Sequence, residues 1–146
     1  MSVPDFDAWF AAQGFRNFAA REFTDYFAAS RKGVRNHTPP RSLWHNIVPA
    51  LRVADDLRDS FGEPCILLSS YRAPDYNRAV GGAPASLHME FKALDLCLPL
   101  VGARQAYRRL VEWRRAGRFT GGLGFYPSSG FVHLDTRGTN ATWSGR

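Results

Sequence analysis

The chain has 146 residues, of which 45% are hydrophobic and 14% aromatic, and its formal net charge is +6. A chain of this length is typical of one domain with a buried core, and its apolar content argues against disorder. No apolar run in the sequence approaches the roughly 20 residues that a membrane-spanning helix needs. The basic charge indicates a polyanionic partner, such as nucleic acid, an anionic membrane or the bacterial cell wall.

The N-terminal part of the sequence predicts two short aromatic helices. Over residues 5–13, the aromatic side chains of Phe6, Trp9 and Phe10 recur at helical spacing. Residues 21–30 repeat this pattern. Side chains placed in this way are more typical of a hydrophobic core than of a sugar-binding platform.

The next segment predicts a loop, a long helix and a strand. Residues 31–40 are rich in glycine, asparagine and proline and predict the loop. Ser42 is a suitable cap for a helix that runs to about residue 60, with a kink or short break at Pro49. Residues 65–69 then predict a central strand that delivers Arg72 at its end, where a guanidinium can bind a ligand carboxylate or form a structural ion pair.

The last third of the chain predicts one amphipathic helix and ends in a polar segment. Residues 103–116 place arginines on the outer face of this helix, and residues 121–125 predict a strand or turn. Residues 138–146 predict a polar tail, in which Trp143 has no assigned role. The two cysteines are too few for a disulfide scaffold, and we expect buried free thiols rather than a disulfide between neighbouring strands.

Two short strands carry polar side chains that need partners. Residues 93–98 form an apolar run that is interrupted by Asp95, and a buried carboxylate requires a metal, an arginine or backbone amides. Residues 131–136 predict a second strand, in which His133 and Asp135 lie on one face. Such a face is typical of a strand that lines a cleft.

A third polar residue, His88, lies seven positions before Asp95. Two imidazoles and one carboxylate are a common zinc set, because three protein ligands leave one tetrahedral position open. We therefore hypothesise that His88, Asp95 and His133 bind one Zn²⁺. The spacing alone is a weaker signal than an established zinc motif, and a structural role for each residue is the alternative.

Five segments carry further motifs in a fixed order. They are NHTPP at residues 36–40, SSYRAPDYN at 69–77, VGGA at 80–83, S-x-H-x6-D at 86–95 and GGLGFYP at 121–127. Together they resemble the zinc D-Ala-D-Ala carboxypeptidases and related peptidoglycan endopeptidases, which share a fold with the Hedgehog signalling domain. The resemblance covers residues 20–137 and implies an α+β fold with a small, mainly antiparallel sheet flanked by helices. We expect residues 1–146 to form a single domain.

The resemblance implies an activity and assigns roles to residues. His88, Asp95 and His133 match the ligands of one zinc ion per chain, Arg72 matches an arginine that faces the substrate, and Ser86 matches a serine beside the site. The implied function is a zinc metallopeptidase that cleaves stem or cross-link peptides of peptidoglycan, as a D,D-carboxypeptidase or an endopeptidase.

The sequence departs from the family pattern at three positions. Phe91 replaces a usual glycine. Gly130 stands where many members carry an acidic general base, and Phe131 stands where others carry a histidine. The alternative is therefore a weak or inactive zinc module that binds the cell wall or a protein partner.

Three other side chains could take part in catalysis. Asp135 is the first candidate for the general base, although it could instead orient a ligand histidine. Glu90 is the second candidate, and Tyr126 is a candidate substrate-binding residue that could donate a hydrogen bond to an oxyanion.

The sequence also sets expectations about partners and location. It has no recognition helix, zinc finger or base-stacking motif, so we expect no binding of nucleic acid. Its N-terminus lacks the pattern of a signal peptide. We expect a monomer that is made in the cytoplasm and acts at the cell wall or in the periplasm, for example after release like a phage lysin.

Overall fold

The structure, a computed structural model, describes residues 3–146. The α-helices are α1 (Pro4–Ala12), α2 (Ala20–Phe27), α3 (Val48–Phe61), α4 (Pro74–Ala79) and α5 (Ala103–Arg115). Two 3₁₀ helices span Arg41–Ile47 and Leu87–Glu90. The strands are β1 (Ser30–Arg31), β2 (Val34–Arg35), β3 (Ile66–Ser69), β4 (Ala93–Cys97), β5 (Gly122–Tyr126), β6 (Phe131–Asp135) and β7 (Ala141–Ser144). The predicted α+β class is confirmed.

A five-stranded sheet has the order β3-β4-β6-β5-β7, and β1 and β2 form a separate hairpin. Only the β5–β7 pair of the described sheet is parallel, so the expectation of a mainly antiparallel sheet is correct. The prediction of a central strand at residues 65–69 is wrong, because β3 lies at the sheet edge. Ile66 and Leu68 are 48% and 42% exposed there. An apolar run does not reveal that one of its faces is open to solvent.

The core lies on one face of this sheet. Inward side chains of β4, β5 and β6 pack with the helices, and the fully buried ones include Leu94, Leu123 and Leu134. The N-terminal helices contribute a group of aromatic rings, of which Phe6, Phe10, Phe23 and Phe27 are buried. The prediction that the aromatic side chains form core is confirmed for these four rings, whereas Trp9 and Tyr26 are only partly buried. The opposite face of the sheet remains free to line a cleft.

The helix predicted from Ser42 is divided into two. Residues Arg41–Ile47 form a 3₁₀ helix, so Ser42 does not cap an α-helix. The α-helix α3 begins at Val48, with Pro49 in its first turn, where the missing N–H of proline removes no helical hydrogen bond. Gly62 ends α3 in the left-handed conformation, at φ 65°. The expected interruption near Pro49 is therefore a break between two helices and not a kink within one.

The predicted polar tail contains the strand β7, and this part of the prediction is wrong. Strand β7 pairs in parallel with β5, in a register that places Trp143 opposite Gly124. The guanidinium of Arg114 on α5 ties the two strands together, because Nη1 donates to the carbonyls of Gly121 and Ala141 at 3.0 and 2.9 Å. A four-residue strand with two exposed residues has too little periodicity to be recognised from sequence.

Phe91 occupies a position at which the family resemblance implies glycine. It ends the 3₁₀ helix Leu87–Glu90 in the left-handed region, at φ 55°, which most side chains avoid. Its ring is fully buried against aromatic rings that include Phe23 and Tyr71, at centroid distances of 6.1 and 6.2 Å. Burial of the ring offsets the backbone strain.

Both cysteines are free thiols, as expected. Cys65 is buried, and burial raises the pKa of its thiol to about 12. Cys97 is half-buried rather than buried. In residues 3–146, no helix combines the length and the apolar character that crossing a membrane would require.

Candidate metal centre

A row of residues in register crosses the open face of the sheet. Strand pairing places Ser69 beside Asp95, Asp95 beside His133, His133 beside Gly124 and Gly124 beside Trp143. Side chains that oppose one another on neighbouring strands lie on the same face of a sheet. The register therefore brings Asp95 and His133 together, although they are far apart in sequence.

His88 approaches this row from the 3₁₀ helix Leu87–Glu90. Ser86 begins this helix, and its Oγ accepts a hydrogen bond from the His88 N–H at 3.2 Å. On the imidazole, Nδ1 lies 2.6 Å from the carbonyl oxygen of Ser70. A carbonyl only accepts, so this contact keeps the proton on Nδ1 and leaves Nε2 as a lone-pair donor. Ser86 and Ser70 thus fix the position and the tautomer of His88.

The other histidine is held in the same way, through its opposite nitrogen. His133 Nε2 lies 2.8 Å from Oδ2 of Asp135, and Nδ1 faces Asp95 Oδ1 at 3.1 Å. Asp135 is fully buried and also accepts hydrogen bonds from the Gly122 N–H and from the backbone and guanidinium of Arg137, at 2.7 to 3.1 Å. These contacts occupy both carboxylate oxygens and direct His133 Nδ1 towards the site.

Three donor atoms converge at the centre of the row. One ligand atom from each of His88, Asp95 and His133 lies within 4.8 Å of the other two, and all three residues are buried. His88 Nε2 lies 3.3 Å from Asp95 Oδ2 but forms no hydrogen bond with any residue of the described chain. A buried polar atom without a partner is costly. Two imidazole nitrogens and a carboxylate oxygen are ligands that suit zinc, and these residues therefore fit the metal.

Electrostatics at the centre link the acid and the two histidines. Burial acts against the ionised form of Asp95, but the adjacent rings of His88 and His133 outweigh it and hold the pKa of this carboxyl well below its usual range. Burial also acts against protonated His133, but hydrogen bonds to Asp135 and Asp95 raise the pKa of this imidazole above its usual value. A divalent cation that binds His133 therefore competes with protons for this imidazole.

Arg72 borders the centre on the side of β3. Its guanidinium lies 3.4 Å from Asp95 Oδ2, 3.0 Å from Asn77 Oδ1 and 3.3 Å from Ser69 Oγ. The loop that passes this guanidinium requires glycine at position 82, where a Cβ would lie 2.0 Å from the Asn77 amide oxygen. Arg72 is therefore fixed with its side chain 14% exposed at the wall of the cleft.

A cleft of about 1260 Å³ opens above the centre. Its charged lining consists of three arginines, Arg31, Arg72 and Arg137, together with the proposed ligand Asp95. Aromatic side chains from β5, β6 and β7 and from the helices complete the walls. The three proposed ligands are the only acidic or histidine side chains in the lining, as far as residues 3–146 are concerned. The lining therefore carries an excess of positive charge, although the guanidinium groups of Arg72 and Arg137 already face Asp95 and Asp135.

The structure places the other predicted residues at different distances from this cleft. Ser86 and Tyr126 line it, while Asp135 lies buried behind His133. Glu90 is exposed and pairs with Lys92 at 3.5 Å, outside the lining. Sequence reasoning did not identify the carbonyl of Ser70 or the ring of Trp143 as parts of the site. A backbone carbonyl has no sequence signal, and Trp143 lies in the segment that was predicted to be a polar tail.

Fold and site together define an α+β protein with a candidate metal centre in an open cleft. The sequence profile of the peptidase M15 family matches residues 16–135, and the chain belongs to this family. The resemblance inferred from the motifs is therefore confirmed.

Curated proteins with a more specific name match part of the chain. Peptidoglycan L,D-endopeptidase MepK of Escherichia coli K12 is 33% identical over 79 residues, which cover 51% of this chain and 41% of that protein. The proteins of the same name from Escherichia coli O157:H7 and Shigella flexneri match to the same extent. The chain thus matches less than half the length of these relatives. No solved structure matches it significantly.

Proposed function

We propose that this protein is a zinc metallopeptidase that cleaves the stem or cross-link peptides of peptidoglycan. The observation that carries the proposal is that a hydrogen-bond partner fixes the orientation of each of the two histidine rings. The Ser70 carbonyl engages one ring and Asp135 the other, so the two remaining nitrogens converge with Asp95. A zinc ion, when bound, supplies Lewis acidity that activates water and polarises a peptide carbonyl.

The remaining side chains have distinct roles in this proposal. Arg72 binds a substrate carboxylate or stabilises negative charge that develops on the peptide oxygen, because its guanidinium is fixed at the cleft wall. Asp135 orients His133, since both of its oxygens already accept hydrogen bonds. Ser86 fixes the backbone of His88 beside the substrate, and Tyr126 contacts the substrate.

Peptidoglycan peptides fit the charge of the cleft. These peptides carry free carboxylates, and three arginines line the walls. The curated relatives are named as peptidoglycan L,D-endopeptidases, and this supports an endopeptidase over a carboxypeptidase. The site of action would then be the cell wall.

Purified muropeptides provide the test. Zinc-loaded protein is incubated with them, and the products are identified by mass spectrometry beside a chelator-treated sample. We expect a product that is lost with chelator and restored by zinc, and its mass identifies the bond. His88→Ala should abolish the product, whereas His37→Ala, which changes an exposed histidine, should not. Equal product with and without chelator would refute the metal-dependent mechanism.

A second function is favoured by one specific observation. No acidic or histidine side chain apart from the proposed ligands lines the cleft of the described chain. Position 130, where the family resemblance implies an acidic base, has a left-handed backbone at φ 77° that favours glycine. A zinc module that binds cell wall without cleaving it is consistent with this. Retention of zinc-loaded protein on insoluble peptidoglycan, with no muropeptide released, would select this function.

A further inference from the structure

The indole ring of Trp143 contacts His133 at the candidate metal centre. Its ring centroid is 4.9 Å from that of His133, and the two planes meet at 52°. The indole crosses β5 at Gly124, where a Cβ would lie 2.6 Å from Trp143 Nε1. Glycine at position 124 therefore allows β7 to place this ring beside the metal ligand.

The indole also determines the hydrogen bonding of Tyr126. Trp143 Nε1 donates to the phenolic oxygen of Tyr126 at 2.8 Å. An indole N–H only donates, so the phenolic oxygen accepts and its own proton must go to another acceptor. Within residues 3–146 no hydrogen bond from this hydroxyl is formed, and Tyr126 lines the cleft. The free O–H is available to a ligand.

The Tyr126 ring is held in position from both sides. It stacks on Phe131 with a centroid distance of 4.5 Å and an angle of 11°. On the other side, a Cβ at Gly145 would lie 2.5 Å from the ring. Tyr126 and Phe131 are paired in register two residues along from Gly124 and His133, which puts both rings on the face of the sheet that carries the metal centre.

We propose that Trp143 is a positioning residue that fixes the Tyr126 hydroxyl as a hydrogen-bond donor to a carbonyl oxygen of the bound peptide. This inference rests on the proposed function, because it specifies how the same cleft holds its substrate. Strand β7 then belongs to the substrate site. A donor fixed before binding loses little side-chain entropy when the substrate arrives.

Two conservative substitutions test the inference. Trp143→Phe keeps an aromatic ring beside His133 and removes only the N–H group, whereas Tyr126→Phe removes only the hydroxyl. Each should lower kcat/KM for muropeptide cleavage about tenfold, the effect of one lost hydrogen bond. Trp113→Phe, at a half-buried tryptophan of α5 outside the cleft lining, is the matched control and should retain wild-type kcat/KM.

The double variant separates a positioning role from a general structural role. If Trp143 acts through Tyr126, the double variant should be no slower than Tyr126→Phe alone. If kcat/KM of the double variant instead fell by the product of the two single losses, the inference would be overturned. Wild-type kcat/KM in Trp143→Phe would also overturn it.

Two further measurements do not depend on catalysis. In proton–nitrogen NMR spectra, Tyr126→Phe should shift one of the four tryptophan indole signals, the one that Trp143→Phe removes. Zinc affinity should be the same in both variants and the wild type. An unshifted Trp143 indole signal would show that the hydrogen bond is not formed and would refute the inference.

These measurements also distinguish failure of the inference from failure of the proposed function. If wild-type protein binds muropeptides without cleaving them, the peptidase proposal fails, and the inference is judged on muropeptide affinity. Both single variants should then weaken binding, again without additivity. If the protein neither cleaves nor binds muropeptides, both proposals are wrong.

Discussion

Replacement of Asp135 by asparagine distinguishes an orienting residue from a general base. The carboxylate is fully buried and accepts hydrogen bonds from His133, Arg137 and the backbone N–H of Gly122. Asparagine has the same shape but only one accepting oxygen. Oδ1 of Asp135 accepts from three N–H groups, and Oδ2 contacts only His133 Nε2 and Arg137 Nη2. The amide nitrogen therefore opposes fewer donors at the Oδ2 position, where it faces His133. The ring of His133 then loses its orientation or its tautomer.

The expected loss can be stated in terms of zinc binding. Loss of the residue that orients a metal-binding histidine typically costs 10- to 100-fold in metal affinity. This corresponds to ~1.4–2.7 kcal/mol. Competition with a chromophoric chelator measures the zinc dissociation constant directly. Asp59→Asn is the matched control, because this exposed carboxylate makes the same kind of hydrogen bonds, to Arg16 and Asn17, outside the cleft.

The alternative role gives the opposite result. If Asp135 were the general base, Asp135→Asn would bind zinc with nearly wild-type affinity and would lose turnover by orders of magnitude. A zinc affinity within twofold of the wild type would therefore refute the orienting role.

Three other predictions follow from the same contacts. Zinc affinity should fall as the pH is lowered, because carboxylate contacts raise the pKa of His133 and protons compete with the metal below that pKa; a pH-independent zinc titration would contradict this. Arg72→Lys should bind zinc like the wild type, but its kcat should be about 10²–10³-fold lower, because a lysine cannot reproduce the fixed guanidinium. Arg78→Lys, on the exposed side of α4, should keep the wild-type kcat. Phe91→Ala should lower the free energy of unfolding, measured by urea denaturation, by about 3–5 kcal/mol, because the buried ring is removed. Phe91→Gly should be about 1 kcal/mol more stable than Phe91→Ala, since glycine adopts the positive φ without steric cost; the reverse order would show that no strain is stored there.

Sequence alone determined the class of fold and the candidate metal ligands. The histidines and Asp95 stand in strongly apolar or motif-bearing segments, so their burial and need for partners could be read locally. The aromatic helices were also predictable, because their side chains recur at helical spacing and have to be buried somewhere. The order of the motifs was sufficient to identify the peptidase family.

Only the tertiary structure determined which contacts orient these residues. Strand register, a property of pairing between distant segments, places Trp143 in the same row as Asp95 and His133. The carbonyl of Ser70 has no side-chain signal, yet it determines which nitrogen of His88 faces the centre. Local sequence reports which side chains have to be buried or partnered, but it does not report which distant atoms will face them. For that reason the candidate ligands could be proposed from the sequence, whereas the contacts that orient them could not.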